Sequence, residues 1–361
     1  MLGDARERTF MRRAMLLARR GWGHTAPNPL VGCVIVRDGA VVAEGFHARF
    51  GWPHAEVAAL TAAGPLAAGA DVFVTLEPCN HHGKTPPCVD ALLRAGVRRV
   101  VAAVRDPGTD SGSGAERLRA GGVEVEVGLE QSAAEELNAP FLFASSGSGR
   151  PWITLKLALS ADGAIADASR TPRWLTGEPA RRYVHRLRAQ SDAIAVGAGT
   201  AVADDPDLTV RYGRRPRVAP MRVVFDRDVR LPIGHRLVMT ARKTPTILFS
   251  RSDLPDHAAP LISAGVDVVP VSGLAEALGT LRSRGVRSLM VEGGAGLARE
   301  LLAAGVVDRL IIFQAPVLLG AGALPAFGRA PPVERMRVIE RREFGDDLMT
   351  TYAVNELPVR P

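Results

Sequence analysis

The first half of the chain carries a histidine, a glutamate and two cysteines whose spacing suits a catalytic metal site. His54-Ala55-Glu56 is followed by Pro78-Cys79 and then by Pro87-Cys88. One imidazole and two thiolates can hold Zn²⁺ and leave its fourth position open to water, whereas a structural zinc site takes four protein ligands. Glu56, two residues after the histidine, is placed to move protons to and from that water. The pattern therefore predicts a hydrolytic zinc site of the kind that removes amino groups from nucleobases.

The alternative is that His54 caps a helix and that the two cysteines are small packing residues. It leaves the glutamate and the order of the motifs unexplained. Cys33 is the opposite case, because it lies in an apolar strand signal and is expected to be buried packing. The loop between the two later cysteines carries His81 and Lys84. His81 or its neighbour His82 could be an alternative metal ligand. Otherwise the loop contacts an anionic substrate group or is an ordinary solvated surface.

Secondary-structure signals indicate how these side chains meet. A strand signal at 71–76 ends just before Cys79, and helical runs begin at His54 and at Cys88. Upstream, Asp38-Gly39 between two apolar runs predicts a β-hairpin. Because strands alternate with helices after this hairpin, we expect an α/β fold with a mixed sheet and helices on both of its faces.

The chain has 361 residues, which is enough for two domains. The stretch 145–151 is polar and rich in glycine and serine, as linkers are. A second series of apolar, β-branched runs begins at Trp152. We therefore expect an α/β protein of two domains, 1–147 and 148–361.

Two glycine-rich turns in the second half suggest a nucleotide site. In 291–297 a strand runs through Glu292-Gly293-Gly294 into a helix, and Gly197-Ala198-Gly199-Thr200 follows another strand. Such turns offer backbone N–H groups to a phosphate, although a tight strand–helix turn needs glycine as well. Neither matches the G-x-G-x-x-G fingerprint, so together they predict a dinucleotide cradle of non-Rossmann type.

The run 203–211 is acidic and then basic. It is either a capped turn, in which an aspartate such as Asp204 bonds backbone N–H groups, or a recognition segment. In the second interpretation it binds ribose hydroxyls, and Arg211 binds a substrate phosphate.

Composition limits the partners. The net charge is +7, but the arginines are scattered and no basic stripe is interleaved with aromatic residues, so we expect no nucleic-acid partner. The apolar stretch near the amino terminus is too short for a signal peptide or a membrane span. Three cysteines, two of them assigned to metal, leave no disulfide framework and predict a reducing, cytoplasmic location.

Taken together, the motifs resemble the bifunctional riboflavin-biosynthesis deaminase/reductase family over essentially the whole chain. In the first half the resemblance rests on 27–32, on His54-Ala55-Glu56 and on the enlarged cysteine loop 75–88. In the second half it rests on shorter motifs, at 155–157, 160–163, 174, 187–192, 204–211 and from 292 onward.

For the first domain the resemblance implies a cytidine-deaminase-like fold. Its reaction would be hydrolytic deamination of 2,5-diamino-6-(5-phosphoribosylamino)pyrimidin-4-one, with Zn²⁺ on His54, Cys79 and Cys88 and with Glu56 as the catalytic acid–base. Asn28 would hold the base, and the loop with His81 and Lys84 would meet the ribose phosphate.

For the second domain the resemblance implies a dihydrofolate-reductase-like fold that uses NADPH to reduce the ribosyl group, giving 5-amino-6-(5-phosphoribitylamino)uracil. The implied NADPH site comprises Ala158, Trp174, Thr200, Asp204, Gly294, Ala295, Gly296, Leu297, Ala298, Arg299 and Glu300. The implied substrate site comprises Pro172, Arg188, Leu208, Arg211 and Glu292. Pro172 departs from the family, which often has serine there, and it removes a hydroxyl donor from the implied substrate site.

The resemblance also implies a homo-oligomer, either a dimer or a tetramer. Two other functions are weighed against this one. The first is a nucleoside or tRNA deaminase with an inactive second domain, which the long cysteine loop and the reductase motifs disfavour. The second is a nucleic-acid-binding protein with a structural zinc, which would have no need of Glu56.

Overall fold

A computed structural model describes residues 4–108, 111, 113–171, 174–251, 258–327 and 336–357. The chain divides into two compact units between Gly147 and Ser148. Within the described residues, no helix combines the length and apolar character that crossing a bilayer requires. Pro172 lies outside the described residues.

The first unit is built on a five-stranded sheet with the order β2-β1-β3-β4-β5. β1 is antiparallel to both of its neighbours, and β3, β4 and β5 are parallel to one another. The strands are β1 (Gly32–Arg37), β2 (Ala40–Phe46), β3 (Asp71–Val74), β4 (Arg99–Ala102) and β5 (Glu124–Val127). The helices are α1 (Ala5–Ala18), α2 (Ala55–Ala63), α3 (Cys88–Ala95), α4 (Gly114–Ala120), α5 (Gln131–Leu137) and α6 (Ala139–Ser145), with short 3₁₀ turns at Arg19–Gly21 and Gly64–Ala67.

Helices cover both faces of this sheet, as the sequence predicted. α2, α3 and α4 pack on the face that carries Cys33 and Ile35, and α1 packs on the face that carries Val34 and Val36. The alternation follows from the two-residue period of a strand. Cys33 is fully buried, as expected of a packing residue.

Gly45 lets α2 lie close to the sheet. A Cβ atom at this position would sit 2.5 Å from the backbone nitrogen of Ala59. Because no real Cβ tolerates that distance, only glycine allows β2 and α2 to approach so closely. The close approach fixes the first turn of α2, where His54 and Glu56 lie.

The second unit has a nine-stranded sheet with the order β11-β10-β9-β8-β12-β6-β13-β16-β15. Seven strands are parallel, and β16 and β15 add an antiparallel pair at one edge. The strands of this sheet are β6 (Trp152–Leu159), β8 (Ala193–Gly197), β9 (Met221–Phe225), β10 (Thr246–Ser250), β11 (Asp267–Pro270), β12 (Ser288–Glu292), β13 (Arg309–Gln314), β15 (Arg337–Phe344) and β16 (Asp347–Ala353). Two short strands, β7 (Ala164–Ala166) and β14 (Leu324–Pro325), pair separately.

Helices also lie on both faces of this second sheet. α11 and α12 share a core with Ile153, Leu155 and Leu157 of β6. On the opposite face, α8, α9 and α10 share a core with Ile194, and α7 packs against Met290. The helices are α7 (Glu178–Ala189), α8 (Ala198–Asp204), α9 (Arg236–Met239), α10 (Ala259–Ala264), α11 (Leu274–Ser283) and α12 (Ala295–Ala303).

Candidate active sites

Three side chains from three elements converge in the first unit. His54 is the residue that precedes α2, Cys79 lies in the loop after β3, and Cys88 is the first residue of α3. The Nδ1 atom of His54 lies 3.5 Å from the Sγ atom of Cys79 and 3.3 Å from that of Cys88. In a tetrahedral site with Zn–N of about 2.1 Å and Zn–S of about 2.3 Å, a nitrogen and a sulfur ligand lie roughly 3.6 Å apart. Both nitrogen–sulfur distances are therefore close to the spacing that Zn²⁺ requires, and all three ligand atoms lie within 4.8 Å of one another.

The loop that carries Cys79 is held by buried hydrogen bonds. The Glu77 carboxylate accepts from the backbone N–H of Ala115, at 2.8 Å, and of Asp106, at 3.1 Å. The backbone N–H of Cys88 points at the Sγ atom of Cys79, 3.4 Å away. These contacts set the positions of the two sulfur atoms before any metal binds.

The electrostatics of the cluster suit a cation. The hydrogen bond from the Cys88 thiol, rather than the one from its backbone, is the main cause that lowers the pKa of Cys79 to about 4, and the same thiol bond raises the pKa of Cys88. Without metal, the two sulfur atoms thus share one proton between a thiolate and a thiol. Metal binding displaces such a proton, because thiolates are the ligands.

Glu56 is buried beside these ligands, with only 3% of its surface exposed. Burial is the main cause that raises its pKa to about 7, and the charge of Cys79 adds to the effect. A bound dication would act in the opposite direction. Burial and the metal therefore act on the pKa of Glu56 in opposite directions, and a buried carboxyl group beside the ligands can both accept and return a proton.

His47 is a residue that the sequence did not single out. Its Nδ1 atom lies 3.1 Å from the carbonyl oxygen of Pro53, which can only accept, so Nδ1 carries the proton. The Nε2 atom of the neutral ring then accepts from the side-chain amide of Asn28, at 3.2 Å. His47 also meets the His54 ring edge-on, with centroids 5.2 Å apart. Asn28, the expected base-binding residue, is therefore oriented next to the metal ligands.

Much of the enlarged cysteine loop is exposed. Lys84 is exposed, and its ammonium group lies 4.2 Å from the centre of the Phe50 ring. The Nδ1 atom of His81 is buried and, in the described part of the chain, has no hydrogen-bond partner. The loop thus presents one cation and one unsatisfied imidazole nitrogen.

In the second unit a cavity of about 890 Å³ opens at the carboxyl ends of the parallel strands. Its wall includes the last residues of β8, β9 and β10 and the turn before α12. β8 and β12 are neighbours, so both glycine-rich turns reach the same cavity. A Cβ atom at Gly294 would lie 3.0 Å from the Thr200 hydroxyl, which shows how closely the turns approach. The two glycine-rich turns that the sequence indicated therefore line one cavity, and its role as a dinucleotide cradle stays a prediction.

The eleven residues of the implied NADPH site divide into two groups. Those that line the cavity are Thr200, Gly294, Gly296, Leu297 and Glu300. The other residues do not line the cavity. Ala158 lies in β6, and Asp204 is the last residue of α8. Ala295, Ala298 and Arg299 belong to α12, where Ala298 is buried in the core. Trp174 is 73% exposed and stacks with the Arg181 guanidinium at 5.3 Å.

A charged cluster lies at the ends of α7 and β12. Arg188 and Glu292 form a two-point ion pair with distances of 2.5 Å and 2.9 Å, and both side chains are nearly buried. Burial raises the pKa of Glu292, but the charge and hydrogen bonds of Arg188 outweigh it and lower the pKa to about 2. Lys156 interacts electrostatically with the same pair. The sequence analysis noted the motif that contains Lys156 but assigned this residue no role.

Arg188 also reaches the segment that carries the remaining substrate candidates. It donates to the carbonyl oxygen of Thr209 at 3.0 Å. One helical turn earlier, Nδ1 of His185 accepts from the backbone N–H of Arg211 at 3.1 Å. Leu208 is buried with a positive φ of 49°, so the chain turns sharply there. Four of the five expected substrate residues of this unit therefore lie in one region, and Pro172 lies outside the described residues.

Two family models match the chain. Residues 151–350 match the RibD C-terminal domain, and residues 4–104 match the cytidine and deoxycytidylate deaminase zinc-binding region. The riboflavin biosynthesis protein RibD of Escherichia coli K12 is 43% identical over 94% of this chain and 97% of its own length. The chain belongs to the RibD family. The RibD protein of Aquifex aeolicus VF5 is 38% identical over 96% of this chain and 98% of its own.

Solved RibD structures share the fold over the whole chain. Acinetobacter baumannii RibD aligns with a TM-score of 0.81 at 36% identity and covers 96% of this chain and 98% of its own. A Thermotoga maritima protein described as a diaminohydroxyphosphoribosylaminopyrimidine deaminase/5-amino-6-(5-phosphoribosylamino)uracil reductase aligns with the same TM-score and coverage at 34% identity. The expected fold class, with a deaminase-like and a dihydrofolate-reductase-like domain, is confirmed.

The function expected from the sequence follows from this membership. The protein is a bifunctional enzyme of riboflavin biosynthesis, a deaminase and a reductase. Zn²⁺ and NADPH, the cofactors expected from the sequence, are those of the family.

Proposed function

We propose that residues 1–147 deaminate 2,5-diamino-6-(5-phosphoribosylamino)pyrimidin-4-one and that residues 148–361 reduce the ribosyl group of the product to the ribityl group. The observation that carries the first half is the convergence of His54, Cys79 and Cys88 at zinc-ligand spacing next to buried Glu56. The observation that carries the second half is that both glycine-rich turns line the same cavity.

In the deaminase site, His54, Cys79 and Cys88 would hold Zn²⁺. When bound, the metal supplies the Lewis acidity that makes water a nucleophile at neutral pH. The Glu56 carboxylate takes a proton from the attacking water and returns protons to the ring nitrogen and the departing amine. The net reaction consumes one water, replaces the amino group by a carbonyl oxygen and releases ammonia.

The other residues of the site bind and orient the substrate. His47 orients the side chain of Asn28 through one hydrogen bond to its amide nitrogen. The amide oxygen and the second N–H of Asn28 then bind the edge of the pyrimidine. Lys84, supported by the Phe50 ring, meets the ribose phosphate together with His81. An exposed cation on a loop suits a phosphate that remains partly in solvent.

In the reductase site, the cavity wall would hold NADPH. Its volume is in the range of cofactor sites, and the turn around Gly294 leaves the backbone N–H groups at the start of α12 open to a diphosphate. When bound, the nicotinamide supplies the hydride. Arg188 and Arg211 bind the substrate phosphate, and Glu292 fixes Arg188. Lys156, which interacts electrostatically with the Arg188–Glu292 pair, would donate the proton that the opening of the ribose ring requires.

The proposal also covers the partners, the oligomeric state and the location of the protein. We expect phosphorylated pyrimidines as substrates, no nucleic-acid partner, a dimer or tetramer, and a cytoplasmic location. Three buried cysteines without a disulfide support a reducing compartment. Light scattering after size-exclusion chromatography measures the oligomeric state.

The test of the deaminase assignment is Glu56→Gln. We expect the variant to keep one zinc per chain and to lose ammonia release by about 10²- to 10⁴-fold, the usual contribution of a general acid–base. NADPH oxidation with the already deaminated uracil substrate should be unchanged. Glu116→Gln, which alters an exposed carboxylate of α4, is the control. Unchanged ammonia release by Glu56→Gln would overturn the role assigned to Glu56.

A further inference from the structure

The loop between α8 and β9 places an acidic side chain among the cations of the proposed reductase substrate site. The Oδ2 atom of Asp207 lies 2.5 Å from a guanidinium nitrogen of Arg211 and 3.5 Å from one of Arg236. Asp207 also interacts electrostatically with Arg188. Because Arg188 and Arg211 are the residues to which we assign the substrate phosphate, this carboxylate lies where a phosphate would have to bind.

The backbone on both sides of Asp207 is held in place. Asp205 and Leu208 have positive φ angles of 40° and 49°, which side chains other than glycine rarely adopt. Leu208 is buried, and the Asp205 carboxylate accepts from the backbone N–H of Arg236 at 2.7 Å. Strained conformations of this kind are concentrated at functional sites. The fold therefore holds the acidic residue beside these arginines.

The surroundings of Asp207 stay electropositive in spite of its charge. Burial is the main cause that lowers the pKa of His185 to about 4, and the charges of Arg188 and Arg211 lower it further. The neutral imidazole accepts from the backbone N–H of Arg211, as described above. A region that disfavours a protonated histidine attracts a doubly charged anion more strongly than a singly charged one.

The ion pair between Asp207 and Arg211 can be exchanged. Their side chains are 31% and 44% exposed, so neither is locked by packing. Arg188 differs, because it is nearly buried and makes two hydrogen bonds to Glu292. Arg236 is 60% exposed and already lies near the same Asp207 oxygen that Arg211 contacts. Arg211 can therefore turn to another anion while Arg236 keeps the carboxylate.

We propose that Asp207 competes with the substrate phosphate for Arg211, and that the Asp207 carboxylate passes to Arg236 when the phosphate binds. The inference rests on the proposed reductase function of residues 148–361 and on the phosphate role of Arg211. A phosphate carries a charge of about −1.5 to −2 at pH 7 and offers several acceptor oxygens, so it displaces a carboxylate. A singly charged group has no such advantage. Asp207 thus lowers the affinity of this subsite and reserves it for strongly charged ligands.

The experiment is isothermal titration of full-length Asp207→Asn, in the absence of NADPH, with 5-amino-6-(5-phosphoribosylamino)uracil and with its dephosphorylated form. The Kd of the phosphorylated ligand should fall about two- to fivefold at low salt, the usual range for one exposed ion pair. The gain should shrink at high salt, and the Kd of the dephosphorylated ligand should not change. In initial-rate kinetics of the reductase, KM should fall by the same factor with kcat unchanged.

Two further variants separate competition from a structural effect. Asp207→Asn should change the Kd by less than twofold in an Arg211→Gln background, because Arg211 is the group for which the two anions compete. Arg236→Gln should weaken binding of the phosphorylated ligand about twofold, because the displaced carboxylate loses its second partner. This variant also tests the exchange if Asp207→Asn does not fold.

Glu178→Gln is the matched control. Glu178 and Arg182 form an exposed ion pair of the same spacing along the chain, at 2.7 Å, in α7. If Asp207→Asn leaves the Kd of the phosphorylated ligand unchanged or raises it, or if Arg236→Gln has no effect, this inference is wrong while the reductase function stands. If the wild-type protein binds neither ligand, the reductase function fails and this inference fails with it.

Discussion

Replacing Glu292 by glutamine should destabilise the second unit through the buried Arg188–Glu292 pair. Arg188 and its partner side chain are only 9% and 14% exposed. The pKa of Glu292 falls from its usual 4.5 to about 2 in the folded protein. At about 1.4 kcal/mol for each pKa unit, this corresponds to roughly 3 kcal/mol of stability at neutral pH. Removing one partner of a buried pair costs about the same amount, 3–5 kcal/mol.

The pKa of Glu292 is lower in the folded state than in the unfolded state. Its contribution to the free energy of unfolding is therefore complete above pH 4.5 and disappears as the pH falls towards 2. Calorimetry of Glu292→Gln at pH 7 should therefore show a Tm lower by roughly 6–12 °C for the second unit. The difference from the wild-type protein should shrink below pH 4.5. Added NADPH identifies the relevant transition, because a ligand stabilises the unit that binds it.

Glu356→Gln is the matched control for this prediction. Arg337 and Glu356 make the same two-point ion pair, at 3.1 and 2.9 Å, but both side chains are more than half exposed. An exposed pair contributes at most about 1 kcal/mol. If Glu292→Gln lowered the Tm no more than Glu356→Gln does, the argument from burial would be refuted.

Three further predictions concern the first unit. His54→Ala should abolish stoichiometric zinc binding and ammonia release, measured by metal analysis and an ammonia assay, and NADPH titration should be unaffected. His47→Phe removes the acceptor for the Asn28 amide, so it should raise the KM of deamination about fivefold and leave the zinc content unchanged. In initial-rate kinetics, adding Asn28→Ala to that variant should raise the KM little further. Lys84→Met should raise the KM for the phosphorylated substrate at low salt but not for its dephosphorylated form, and an equal effect on both would exclude a phosphate contact.

Local signals were sufficient for much of the fold. The helix expected to begin at Cys88 and the strand expected to begin at Trp152 both begin at those residues in the structure. Both are marked by strong periodicity and by clear boundary residues. The hairpin around Asp38-Gly39 was equally predictable, because a turn of that type between two apolar runs has few alternatives.

What the sequence did not indicate depends on tertiary contacts. β15 was missed because its residues are mostly charged and exposed, and only pairing with β16 makes it a strand. His47 was missed because its link to Asn28 joins residues 19 positions apart and belongs to no motif.

The most direct test of the central claim supplies the zinc-loaded protein with NADPH and 2,5-diamino-6-(5-phosphoribosylamino)pyrimidin-4-one as the sole substrate. Ammonia and oxidised cofactor are measured in the same sample. We predict that ammonia appears first and that NADPH oxidation follows until the two amounts are equal. Ammonia release without NADPH oxidation would contradict the reductase assignment, and NADPH oxidation without ammonia would contradict the order of the two reactions.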